Sequence, residues 1–231
     1  MEIDDRYLRH EVDYKPFAAE ALASCFVEPN GFDLFYAVLS NGKKNELLRA
    51  ASFYLFLVKR GDWHECVDGN DRVVDYLTNS YKVVGLFSLI ESTSDARHED
   101  FYQWLLGRPA GTFPIEEGAK LSELYAEYKL TFGSIRRCVA FFDRLPPARQ
   151  QQLRDGVLVN GIRIGSIKKL AEFLYNLRSK FVHSAELVLQ VGELRTWTQD
   201  KKGITETVLP ITLLLSAFEE GLVAYFRDVT S

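Results

Sequence analysis

Apolar residues recur along this chain at spacings of three and four, the period of a helix with one face turned to a core, and this repetition constrains the fold most. Over 45–59, Leu47, Leu48, Ala51, Tyr54, Leu55 and Val58 share one side of a helix. Over 71–91, Val73, Val74, Leu77, Val84, Phe87 and Ile90 do the same. Helices are also expected over 97–106, stopped by Gly107 and Pro109, and over 116–130 and 134–145. Another spans 147–154, opened by a proline suited to a first turn. Ser166 is a good N-cap for a helix over 166–182, and 210–228 carries Ile211, Leu214, Leu215, Phe218, Leu222 and Tyr225 on one face.

Two stretches break this period. Residues 157–164 set Asn160-Gly161 between β-branched runs, the strongest short-range signal for a tight hairpin. Residues 193–209 alternate around 200–203 and suggest a second, longer hairpin, and such ribbons need support from neighbouring helices. The expected fold is mainly all-α, with one or two short β-hairpins.

Length and composition set the frame for this bundle. A chain of 231 residues with 47% hydrophobic residues, 16 Phe and 11 Tyr has the apolar surface to offset the entropy of ordering. We expect an N-terminal helical extension over 1–70 and a helical domain over 71–231. Cys25, Cys66 and Cys138 are few, odd in number and far apart, which fits a reducing, cytoplasmic setting better than a disulfide scaffold. The first six residues are acidic with no apolar run behind them, unlike a signal or transit peptide. The longest apolar stretches, such as 211–218, fall far short of the roughly 20 residues of a membrane span.

The net charge of −4 argues against a generic nucleic-acid coat, yet the charge is unevenly placed. From 129 to 183 there are 11 Lys and Arg against 3 Asp and Glu, a local excess of 8 that leaves −12 elsewhere. Such a segment either attracts phosphate or forms a solvated basic face balanced by acidic neighbours.

One residue on the Ser166 helix is out of place. With Ile167 at zero on a helical wheel, Leu170, Ala171, Leu174, Leu177, Phe181 and Val182 fall within an arc of about 140°. Arg178 falls inside that arc, at about 20°. A guanidinium on an apolar stripe is costly unless paired. Either its stem packs while its head reaches water, or the stripe meets a polar cleft or a second subunit. Glu91, on the face of Val84 and Phe87, is a candidate partner. Glu172, Asn176, Ser179 and His183 share the opposite side. Arg178 and His183, about 140° apart on an ideal helix, converge only if the helix end unwinds, the arginine curls round, or two chains meet.

The run Tyr175-Asn-Leu-Arg178-Ser-Lys-Phe-Val-His183 resembles the signature of the HEPN superfamily, in which Arg and His lie four to six residues apart at a helix end. Leu86-Phe-Ser-Leu-Ile-Glu91 upstream and the apolar C-terminal helix are similar in order to the Apea-like branch, over about 71–231. The residue after the arginine, often Asn, Asp or His in the family, is Ser179 here. The resemblance implies an up-and-down bundle of HEPN type and a homodimer whose two motifs line one cleft. It also implies a metal-independent endoribonuclease of a toxin or host-defence system, with RNA or a nucleotide as ligand and an antitoxin protein as a further partner. By the same resemblance His183 is the general acid or base and Arg178 holds the scissile phosphate. Asn176, Ser179, Lys180, Lys168 and Lys169 are the candidate RNA or phosphate contacts, with Glu91 in support. Other members of the superfamily are non-catalytic binders of nucleotides or proteins.

Other signals are weaker. His64-Glu65-Cys66 lacks a second ligand pair at zinc spacing, so no metal or cofactor is expected. Gly161-x3-Gly165-Ser166 ahead of Lys168 and Lys169 lacks a Walker pattern and reads best as a plain cap. His10 and His98 read as exposed, and Trp63, Trp104 and Trp197 as packing residues. No nucleophile-elbow or His-Glu-x-x-His motif is present.

Overall fold

The computed structural model describes residues 5–62, 71–93, 100–200 and 203–228. Its helices are α1 (Arg6–Arg9), α2 (Glu11–Ala21), α3 (Gly31–Ala37), α4 (Asn41–Phe53), α5 (Asp71–Ser92), α6 (Phe101–Leu106), α7 (Gly118–Phe132), α8 (Ser134–Asp143), α9 (Pro147–Asp155), α10 (Ile167–Ser184) and α11 (Ile211–Asp228). The fold is mainly all-α, as the apolar spacing requires. The helix expected over 45–59 begins earlier, at Asn41, and changes at Tyr54 into a π-helical turn, Tyr54–Lys59. The expected start at 97 lies outside the described residues, as do Trp63, His64, Glu65, Cys66 and His98. Within them α6 starts at Phe101, where the Asp100 carboxylate accepts from Gln103 N at 3.0 Å.

Both expected hairpins form, and they join. Strands β1 (Val157–Val159), β2 (Ile162–Arg163), β3 (Thr196–Asp200) and β4 (Gly203–Thr207) make one antiparallel sheet in the order β2-β1-β4-β3. Asn160 (φ 52°) and Gly161 (φ 75°) both take the left-handed backbone that a two-residue hairpin turn demands. Asn160 then does a second job: its Oδ1 accepts from Ile204 N at 2.9 Å and its own N donates to Ile204 O at 2.7 Å. Neither hairpin alone has three strands, and pairing Leu158 with Glu206 supplies the mutual support a lone ribbon lacks.

The core runs through the middle of the bundle, where α5, α8 and α10 pack against one another and α11 closes over α8. Phe87 of α5 meets Phe142 of α8 at 6.4 Å and Tyr175 of α10 at 6.0 Å, while Phe141 stacks on Phe218 of α11 at 5.5 Å. Each such side chain contributes about 1.5–3 kcal/mol by leaving water. α11 approaches α8 so closely that a Cβ on Gly221 would stand 2.5 Å from the Phe141 ring, which makes glycine a packing requirement there. Tyr54 joins the same cluster, 4.9 Å from Phe218, so helices on both sides of residue 70 share one core. α6 and α7 sit at its margin, where Phe101, Trp104, Tyr125 and Tyr128 pack on one another and Leu130 stays exposed. No described helix is long and apolar enough to cross a membrane.

Candidate functional site

Ser166 caps α10 as expected, its Oγ accepting from Lys169 N at 3.2 Å. The helix then runs unbroken to Ser184 and stops where Ala185 turns to φ 55° and donates back to Phe181 O at 3.0 Å. Leu170, Ala171, Leu174 and Leu177 are buried, Phe181 packs edge-on against Tyr81 of α5, and Val182 in the last turn is exposed. This stripe turns Arg178 toward the C-terminal end of α5.

There Glu91 meets it. Arg178 Nη2 lies 3.8 Å from Glu91 Oε2, with the two side chains only 18% and 23% exposed. That is an ion pair without a hydrogen bond. Arg178 Nε and Glu91 Oε1 are buried with no hydrogen-bond partner, and the Arg178 guanidinium stands 5.6 Å from the Tyr175 ring centre. A second arginine, Arg137 of α8, donates from Nη1 to the Glu91 backbone carbonyl at 3.1 Å, while its Nε and Nη2 are buried without partners. Arg49 Nη2 reaches Ser92 Oγ, one residue on, at 3.4 Å. The last carbonyls of a helix carry partial negative charge, which favours cations here. Cys138 reports the convergence: burial drives its thiol up to about 12, Glu91 adds to the rise, and Arg178 and Arg137 oppose it.

His183 is exposed and, among the described residues, makes no hydrogen bond or ion pair. Because α10 stays regular through Ser184, His183 sits about 140° around the axis from Arg178. Within one chain the guanidinium faces the core and the imidazole faces outward. Asn176 is exposed and Ser179 half-buried. Lys180 pairs with Glu186 at 3.6 Å, both well exposed. Lys168 and Lys169 are exposed at the other end of the helix, about 14–15 Å along the axis from Arg178 at 1.5 Å per residue.

Much of the basic segment is neutralised within the fold. Arg149 grips Glu220 through Nε at 3.0 and 3.1 Å, Arg144 pairs with Asp228 at 3.2 Å, and Arg163 pairs with Asp155. Arg154 donates to the carbonyls of Ile164 and Gly165, each at 3.1 Å. Arg137 and Arg178 differ: Arg178 has only a long contact with the Glu91 carboxylate, and Arg137 reaches only the backbone carbonyl of the same residue.

A second polar cluster escaped sequence reasoning. Glu219 of α11 is 3% exposed; its Oε1 accepts from Tyr54 OH at 2.6 Å and forms an ion pair with Lys59 Nζ at 2.8 Å, while Ser24 Oγ donates to Oε2. Tyr54 and Lys59 are five apart, which would place them about 140° apart on an α-helix, and the π-helical turn lets both meet one carboxylate. The Tyr54 hydroxyl is pushed far up by burial and by Glu219, and burial lifts the neighbouring Cys25 thiol to about 11. The signal was present: Glu219 lies beside Leu215 and Leu222 on the apolar face of α11. Next to Lys59 a depression of about 470 Å³ is lined by Arg60, Asp62, Asp75, Lys82 and Glu193, charges of both signs.

Compared with models of protein families, with curated proteins and with solved structures, the chain matches none.

Proposed function

We propose that this protein is a metal-independent endoribonuclease of HEPN type, acting in a toxin or host-defence system as a homodimer. What supports the reading is the end of α10. There Arg178 stands on the apolar face with an unfilled donor and a loosely held counter-charge, and an unengaged imidazole, His183, stands five residues on. Two chains meeting at this helix end would bring the guanidinium of one toward the imidazole of the other. His183 takes the proton of a ribose 2′-hydroxyl as its oxygen attacks phosphorus, or gives one to the departing 5′-oxygen. Arg178 binds the phosphate and its developing charge through the planar fork. The 2′-oxygen bond to phosphorus forms as the 5′-oxygen bond breaks, leaving a 2′,3′-cyclic phosphate and a 5′-hydroxyl.

The test is RNA incubated with the protein in EDTA, wild type beside Arg178→Ala and His183→Ala. Wild type is expected to cut, and loss of the imidazole to cost about 10²–10⁴ in rate. No cleavage on varied RNAs, or equal cleavage by all three, removes the proposal.

A non-catalytic module that binds a nucleotide or a protein partner is the second reading, favoured by the separation of Arg178 and His183 around the helix of one chain. A thermal-shift screen against nucleotides tests it, since a ligand held only by the folded state raises its melting temperature.

A further inference from the structure

The end of α5 carries a charge imbalance that ion pairing inside the fold does not resolve. Arg137 and Arg178 come from different helices and converge on one residue, Glu91, the first through its backbone carbonyl and the second toward its carboxylate. Neither guanidinium donates a hydrogen bond to that carboxylate. Three of their N–H-bearing nitrogens, Arg137 Nε, Arg137 Nη2 and Arg178 Nε, are buried without an acceptor, and so is Glu91 Oε1 without a donor. Buried donors and acceptors are almost always satisfied, so four in one cluster point to a missing partner. Arg49 approaches the same helix end through Ser92. A phosphodiester carries the same single charge on two non-bridging oxygens, but sets them on a tetrahedral phosphorus, where two arginine forks can grip them from different sides.

We infer that Arg137 and Arg178 form a two-arginine cradle for one RNA backbone phosphate, and that Glu91 is the resident anion which that phosphate displaces. This deepens the ribonuclease reading and rests on it for the identity of the ligand. Arg137 is the new element: it shares the oxygens of that phosphate with Arg178. Glu91 works against binding. In this exchange the Glu91 side chain, 23% exposed and held at 3.8 Å, turns toward solvent and uncovers the buried donors.

The experiment measures binding apart from cutting. A uniformly 2′-O-methylated oligoribonucleotide has no free 2′-hydroxyl to attack, so its affinity for wild type, Arg137→Gln, Arg137→Lys and Glu91→Gln isolates the cradle. Arg137→Gln is expected to bind about tenfold to a hundredfold more weakly, the effect of one lost charge-assisted contact, with a shallower salt dependence. Arg137→Lys keeps the charge but not the fork and falls between. Glu91→Gln is expected to bind about tenfold more tightly, a gain that misfolding cannot mimic, and the gain disappears in the Glu91→Gln, Arg137→Gln double variant. Unchanged affinity in Arg137→Gln, or unchanged or weaker affinity in Glu91→Gln, overturns the cradle. Inorganic phosphate is the second probe: a thermal shift with phosphate but no binding of the oligonucleotide would assign the site to a small anion and overturn the RNA assignment. If ordinary RNA is cut in an Arg178- and His183-dependent way while these affinities do not move, the cradle fails and the ribonuclease stands. The reverse pattern leaves the cradle and removes the ribonuclease.

Discussion

Glu91 and Arg178 stand 3.8 Å apart where α5 meets α10, beyond hydrogen-bond reach yet mostly shielded from water. Such a pair holds little stability, because a long contact gains modest Coulomb energy. Glu91→Gln is therefore expected to cost no more than about 1 kcal/mol in urea unfolding. Arg178→Ala also loses the packing of its stem and is expected to cost about 1–2 kcal/mol. A loss above about 3 kcal/mol would mark the pair as a structural strut.

Glu219 is the opposite case, a buried carboxylate with both oxygens hydrogen-bonded. Lys59→Met leaves that charge without its cation and is expected to destabilise by about 2–4 kcal/mol at neutral pH. Tyr54→Phe removes one hydrogen bond at about 1–2 kcal/mol. Replacing both members of the ion pair, Lys59→Met with Glu219→Leu, is expected to recover part of the loss, since no orphan charge remains. Denaturant midpoints for wild type, Lys59→Met, Tyr54→Phe and the double variant read this out directly, and a double variant weaker than Lys59→Met would contradict it.

The two thiols predict how stability responds to alkali. Burial raises Cys25 from 9.0 to about 11 and Cys138 from 9.0 to about 12. The unfolded chain ionises these thiols first, so their contribution is whole below pH 9.0 and is lost as pH rises through the folded values. The Tyr54 hydroxyl, raised by burial and Glu219, acts in the same direction. The urea midpoint should fall between about pH 8 and about pH 10.5, and the fall should be smaller in Cys138→Ala. An equal fall in both proteins would show that Cys138 is not responsible.

How far the sequence could be read follows from how local each signal is. The α10 stripe, its Ser166 cap and the Asn160-Gly161 turn depend on residues within a few positions, and each formed as expected. Arg178 stood out because a charge on an apolar stripe breaks a local pattern, and Glu91 could be named because it closes the facing stripe of α5. Arg137 was hidden among other basic residues, most of which pair elsewhere in the fold. The junction of the two hairpins was not readable, since β1 pairs with β4 across the whole of α10. The π-helical turn was equally hidden, because its register is set by a carboxylate 165 positions from Tyr54.

In the proposed dimer Arg178 of one chain and His183 of the other act on the same phosphate, because an unbroken α10 holds them on different faces of a single chain. Mixing Arg178→Ala with His183→Ala, after dissociation and reassembly, tests it. Each variant alone is expected to be inactive on RNA, and the mixture to regain cleavage, since a mixed pair holds one intact combination. A mixture as inactive as its components, beside an active wild type, would contradict the claim.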